Sequence, residues 1–210
     1  VDASENQMQG SEAIIRDIAD NLFVVYTGQS AEKYFVHRSS TNKGDTWSSA
    51  VNINAGASRQ TGLIINSTND LFGYMVVGLT EYDEWLYSTS KDNGTTWSSL
   101  IANSKIGDGG KIVRDPVCVV NSLDDVYCVF RIGDGSNNFY ITNSTGGGFN
   151  EEYTINASLI DYDVEFDIDN TFYISGVDLD NDVVLWQNDT DWHRVFDSTL
   201  GATQTAMAID

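Results

Sequence analysis

The sequence predicts an all-β chain assembled from repeated four-stranded antiparallel units. Its composition is the first sign: one proline, 18 glycines and a high share of Val, Ile, Thr, Tyr, Phe and Trp, residues that suit a pleated, half-buried surface. The second is that no stretch carries the 3.6-residue period of an amphipathic helix. The third is a recurring turn. Ile15-Arg-Asp-Ile-Ala-Asp-Asn-Leu-Phe23 has the same shape as Ile65-Asn-Ser-Thr-Asn-Asp-Leu-Phe72, Val120-Asn-Ser-Leu-Asp-Asp-Val-Tyr127 and Phe166-Asp-Ile-Asp-Asn-Thr-Phe172. The place held by Asp17 returns at Asn66, Asn121, Asp167 and Asp210, a period of roughly 43 to 55 residues. That is the length of a four-stranded β-propeller blade.

The first repeat sets the pattern, with strands expected over Glu12–Asp17, Leu22–Gly28, Tyr34–Ser40 and Ser48–Ile53. Applied to the whole chain, it gives blades over about 10–54, 58–104, 112–156 and 160–199, with 203–210 as the first strand of a fifth. Residues 1–210 then form a single propeller segment. An open arc leaves two apolar blade faces uncovered, so the native chain is expected to be longer. A closed ring of four blades is the competing reading. No run approaches the eighteen apolar residues of a membrane span, so membrane insertion is not expected.

Between the third and fourth strands stands a second motif. Ser40-Thr-Asn-Lys-Gly-Asp-Thr-Trp47 and Ser90-Lys-Asp-Asn-Gly-Thr-Thr-Trp97 share the pattern Ser-x-Asn/Asp-x-Gly-x-Thr-Trp, each followed by Ser-Ser and an apolar residue. Gly44 and Gly94 supply the positive φ of a tight turn. Asn42 and Asp92 accept backbone N–H bonds across it, aided by the hydroxyls of Ser40 and Ser90. Trp47 and Trp97 then begin the next strand and bury a large ring. Decayed copies are read at Thr142-Asn-Ser-Thr-Gly-Gly-Gly-Phe149 and Gln187-Asn-Asp-Thr-Asp-Trp192.

This pattern resembles the Asp box, or bacterial-neuraminidase repeat, of sialidase-type β-propellers. The resemblance implies that the box is a structural turn, that the complete propeller has six blades, and that the ligand site lies on the face opposite the boxes. On that face fall Arg59 and Gln60, Glu81 to Trp85 (with Tyr82), Arg114 and Asp115, Arg131 and Asp134, Asp161 and Tyr162, and the loop Asp178–Asp182. Sialidases hold a substrate carboxylate with three arginines, use a Tyr–Glu nucleophile pair and an Asp acid/base. Arginine suits that task because its planar fork makes bidentate, charge-assisted bonds. Arg59, Arg114 and Arg131 are therefore the ligand-binding candidates, with Tyr82 and Trp85 beside them; arginines that pair with neighbouring acids to hold loops are the other reading. Phe130-Arg-Ile132 resembles the family's Phe-Arg-Ile-Pro motif, but Gly133 replaces the proline and the motif follows the second box when it should precede the first. No catalytic Tyr or Glu is assigned.

Cys118 and Cys128 lie on the two arms of a hairpin around Asn121–Asp125. With Leu123 at its centre they face each other, at about 4.5–5.5 Å between Cα atoms, within disulfide reach; free buried thiols are the other reading. Asn-x-Ser/Thr sequons occur at Asn66, Asn93, Asn143, Asn156 and Asn188, and the first three fall on predicted turns, where a glycan is accommodated. Cysteines, sequons and acidity together favour an extracellular or cell-surface location.

The charge balance is 11 Lys+Arg against 31 Asp+Glu, a net −20, which argues against nucleic acid and anionic membranes as partners. Asp161-Tyr-Asp-Val-Glu-Phe-Asp-Ile-Asp169 alternates strictly, so one strand face is all carboxylate. The oxygens of Asp178, Asp180 and Asp182 alternate as in a calcium loop. A solvated loop without cofactor is the first reading there and calcium the second. Two functions compete. One is a secreted or surface-displayed module for glycan or protein binding or assembly, without catalysis, its other partners being the remaining blades or a second copy. The other is part of a sialidase-like glycoside hydrolase.

Overall fold

A computed structural model describes residues 13–28, 34–54, 58–78, 83–102, 113–132, 139–144, 151–155, 159–188 and 192–198. The predicted fifth-blade strand, Tyr82, Asp134 and Asn156 lie outside them. Among the described residues sixteen strands form four sheets of four: β1(Ala13–Arg16) to β4(Val51–Asn54), β5(Ser58–Ile65) to β8(Ile101–Ala102), β9(Val113–Val120) to β12(Glu151–Ile155), and β13(Leu159–Phe166) to β16(Trp192–Ser198). Within each sheet the strands neighbour one another in chain order, and the resolved pairings are antiparallel. The chain divides into two compact units, Val1–Pro116 and Val117–Asp210, with the boundary inside β9. Among the described residues no helix is long and apolar enough to cross a membrane.

One turn closes five hairpins. Asp17, Asn66, Asn121 and Asp167 each accept at Oδ1 the backbone N–H groups two and four residues on. The fourth residue of each turn has a left-handed backbone: Asp20, Asn69, Asp124 and Asn170, at φ 62 to 66°. Asn and Asp tolerate that region because their short polar side chains bond locally. Asp178 does the same for Asp180 and Asp182, with Asn181 left-handed at φ 64°. The loop read as a candidate calcium site is therefore the same hairpin turn, used between β14(Phe172–Asp178) and β15(Val183–Asn188).

The Ser40 and Ser90 turns are near copies. Each serine hydroxyl accepts from the glycine N–H (Gly44 at 2.9 Å, Gly94 at 2.8 Å) and donates to Asn42 or Asp92. That acceptor also takes the N–H of Thr46 or Thr96. Two successive left-handed residues make the reversal, Lys43 and Gly44 in one, Asn93 and Gly94 in the other. Trp47 and Trp97 do not begin strands as expected. They are half-buried in the links ahead of β4 and β8.

Register corrects the decayed copies. Ser40 pairs with Leu22 and Ser90 with Leu71. In the third sheet the matching place belongs to Ser144, bonded both ways to Val126, while Thr142 pairs with Cys128. In the fourth it is Asn188, opposite Phe172, and not Gln187.

The core of the first unit is Phe23, Val25, Phe35, Leu63, Leu71, Met75 and Val77, with Trp97 and Leu100 packed against it. It joins β2(Leu22–Thr27) and β3(Phe35–Ser40) to β5 and β6(Leu71–Gly78). The second unit packs Val129, Phe139, Ile141, Tyr162, Val164, Phe172 and Ile174. Cys118 and Cys128 form a disulfide across the neighbouring strands β9 and β10(Val126–Ile132), with Cα atoms 4.1 Å apart, closer than the expected separation of about 4.5–5.5 Å.

Candidate functional site

Antiparallel geometry puts the openings of β5 and β9 at the end of their sheets opposite the Asn66 and Asn121 turns. At that end Gln60 reaches Asp115. Its Nε2 donates to Asp115 Oδ1 at 2.5 Å, and its Oε1 accepts the Asp115 N–H at 2.8 Å. Both openings are irregular. The pairing of β5 with β6 shifts register between Ser58 and Gln60, and Asp115 has φ 51° directly ahead of Pro116. Arg59 and Arg114 immediately precede the two partners and stand at the same spacing ahead of Asn66 and Asn121. Arg114 is exposed.

The other candidates scatter. Arg131 is half-buried on β10(Val126–Ile132), paired with Phe139, and follows Phe130, which is fully enclosed against Tyr140. Trp85, expected on the ligand face, is 0% exposed, in an aromatic cluster with Phe72 and Tyr87. Tyr162 is likewise core, edge-on to Phe139, its hydroxyl donating to the Val129 carbonyl. Asp178 accepts at Oδ1 from the N–H groups of its own turn and at Oδ2 from Arg194. Among the described residues no three His, Cys, Asp or Glu side chains are grouped to hold a metal.

Asn93 is exposed at its turn, while Asn66 is half-buried and spends its side-chain oxygen on Thr68 and Asp70. Asn143 departs from expectation. It ends β11(Phe139–Asn143), a strand buried along its whole length, and is 4% exposed opposite Tyr127.

No protein-family model matches the chain, and no curated protein matches it. Solved structures do. A Hadza microbial sialidase superposes with TM-score 0.67 at 10% identity, over 93% of this chain and 48% of its own. An ulvan lyase of polysaccharide lyase family 25, bound to -[GlcA(1-4)Rha3S]-, gives 0.64 at 13%, over 90% and 58%. The α-L-arabinofuranosidase of Podospora anserina, in complex with cellotriose, gives 0.60 at 12%, over 96% and 72%.

The fold is a β-propeller. Its four described sheets are four-stranded antiparallel blades, and the chain spans about half the length of the sialidase it matches. At these identities the likeness is one of fold.

Burial alone would raise the pKa of Asp17, but bonds from the Asn21 side chain, the Asn21 N–H and the Ala19 N–H outweigh it and hold it low. Asp92 is held low chiefly by Thr96, and Asp167 by the Thr171 N–H. All three carboxylates are committed to turns. Sequence reading missed His37, which is 1% exposed under the second blade's Ser90 turn. Burial pushes its pKa down to about 4, the Gly94 backbone opposing weakly. Neither imidazole nitrogen has a hydrogen-bond partner of good geometry. No spacing in the sequence marks it, since it takes an ordinary alternating strand place opposite Val25.

Proposed function

We propose that this chain is a secreted or surface-displayed Asp-box propeller module that binds acidic glycans without turning them over. The exposed Arg114 carries the reading: on a chain of net charge −20 it stands at the opening of β9, beside a residue pinned to the preceding blade's opening strand. A guanidinium so placed suits the carboxylate of a uronic or nonulosonic acid. Arg59, at the equivalent place in its blade, is the second candidate and Arg131 the third. The Cys118–Cys128 bridge and exposed Asn93 sequon fit an oxidising, extracellular setting. Binding uses no cofactor, so chelation leaves affinity unchanged; a calcium-dependent affinity would move attention to Asp178, Asp180 and Asp182.

The test is titration with 3′-sialyllactose and with a glucuronate oligosaccharide, lactose serving as the neutral control. Arg114→Ala is expected to weaken acidic-sugar binding about tenfold, the size of one lost charge-assisted contact. Equal binding of lactose and sialyllactose contradicts the reading. The second reading, a sialidase-like hydrolase, draws support from the enzymes that share the fold. Release of free sialic acid from the trisaccharide would establish it.

A further inference from the structure

We infer that Gln60 and Asp115 are a positioning pair: their two-point clamp fixes the backbone that presents Arg114 and so sets affinity for an acidic sugar, an inference that rests on the binding function proposed above.

Eight non-glycine residues among those described have positive φ. Five sit at the fourth place of the repeated hairpin turn, and Lys43 and Asn93 make the Ser40 and Ser90 reversals. Each has a local reason, since the chain must reverse there. Asp115 alone lies inside a strand. It also precedes Pro116, a place where the proline ring favours extended backbone. A left-handed residue in a strand turns its N–H out of the ladder. Here that N–H donates to Gln60 Oε1, and the carboxylate accepts from Gln60 Nε2. One side-chain amide thus reads both the backbone and the side chain of the distorted residue.

Gln60 is as unusual in its own strand, since the register shift of β5 falls at its N-terminal side. Two irregular openings on successive blades are tied to each other by hydrogen bonds that neither ladder supplies. Strained backbone of this kind persists where the surroundings enforce it, and it gathers at ligand sites. Arg114 is the residue directly before Asp115 and is exposed, whereas Asp115 and Gln60 are half-buried. The clamp touches no ligand; it holds the segment from which the guanidinium extends.

The experiment compares wild type with Gln60→Ala, Asp115→Asn and Asp115→Gly. Each is titrated with 3′-sialyllactose and melted thermally. Gln60→Ala is expected to bind tenfold or more weakly. Asp115→Asn keeps an acceptor at Oδ1 and tolerates the left-handed region, so it should stay within about twofold of wild type. Asp115→Gly frees the backbone while deleting the acceptor, and is expected to melt at or above the wild-type temperature yet lose affinity. That split between stability and binding is what a merely structural contact does not produce. It also serves should Gln60→Ala fail to fold. Wild-type affinity in Asp115→Gly or Gln60→Ala overturns the positioning role and leaves the glycan-binding function intact. Absence of wild-type binding, with Arg114→Ala indistinguishable from wild type, overturns both.

Discussion

Gly44 and Gly94 hold equivalent places but face different surroundings. Both are left-handed, at φ 95° and 81°. A methyl group on Gly44 would meet Leu22 and Trp47 at ordinary contact distances of 3.5 and 3.9 Å, whereas on Gly94 it would run into the His37 ring. Gly44→Ala is therefore expected to cost about 1–2 kcal/mol, the left-handed penalty alone. Gly94→Ala should cost about 3 kcal/mol or more, since overpacking of a closed core is added. Chemical denaturation of the two variants checks the ranking, and equal costs would contradict it. The neighbouring acceptor behaves differently. Asn42 accepts from Ser40 and Thr46 as Asp92 accepts from Ser90 and Thr96. Asp92→Asn should be nearly neutral, while Asp92→Ala, which removes the acceptor, should lower the denaturation midpoint.

His37 gives the residue scale its pH signature. Its folded pKa, about 4, lies below the ordinary 6.5, so the neutral ring is favoured in the fold. The unfolded chain takes up a proton first as pH falls. Stability tied to this residue is thus full above pH 6.5 and is lost between 6.5 and about 4, by about 3 kcal/mol in all. Asp17 and Asp167, held below 3.8, lose their contribution only at lower pH. His37→Phe should flatten the upper window and leave the lower one. A denaturation midpoint that declines equally in wild type and variant from pH 6.5 to 4 would contradict the assignment.

At the scale of elements, the hairpin is the unit the sequence spells most clearly. An Asx residue whose side chain closes the turn, followed three places later by an Asx residue able to go left-handed, marks all five: Asp17 with Asp20, Asn66 with Asn69, Asn121 with Asp124, Asp167 with Asn170, and Asp178 with Asn181. The same pattern was available for the fifth turn, but its alternating carboxylates resemble a calcium loop just as well on spacing alone. Register was less legible. Thr142 and Ser144 both fit a decayed turn, and only the ladder places Ser144 opposite Val126. The β9–β10 hairpin is locked by Cys118–Cys128, which closes a loop of sequence separation 10. Replacing both cysteines by serine is expected to lower stability by about 2–3 kcal/mol, less than a longer loop would lose. An unchanged melting temperature on reduction would count against a structural role.

For the whole molecule, repeat period and strand composition carry the fold because every blade repeats the same local chemistry. The candidate site is harder to read for the same reason. Arg59 and Arg114 are set apart only by their matching place ahead of Asn66 and Asn121, and the Gln60–Asp115 clamp joins residues that the repeat puts on one face without specifying that they touch. Trp85 and Tyr162 fell on the expected ligand face by chain position but went to the core, where large rings contribute more by burial than by exposure. Net charge also acts at this scale. A surface of −20 repels acidic sugars at long range, so the binding proposed here depends on short-range contact with Arg114.

The most direct test is one titration followed at two readouts. Wild-type protein and Arg114→Ala are mixed with 3′-sialyllactose, and bound ligand and released sialic acid are measured together. The account predicts saturable binding that Arg114→Ala weakens about tenfold, with no release of sialic acid. Saturable binding unaffected by the substitution, or catalytic release of the sugar, would contradict it.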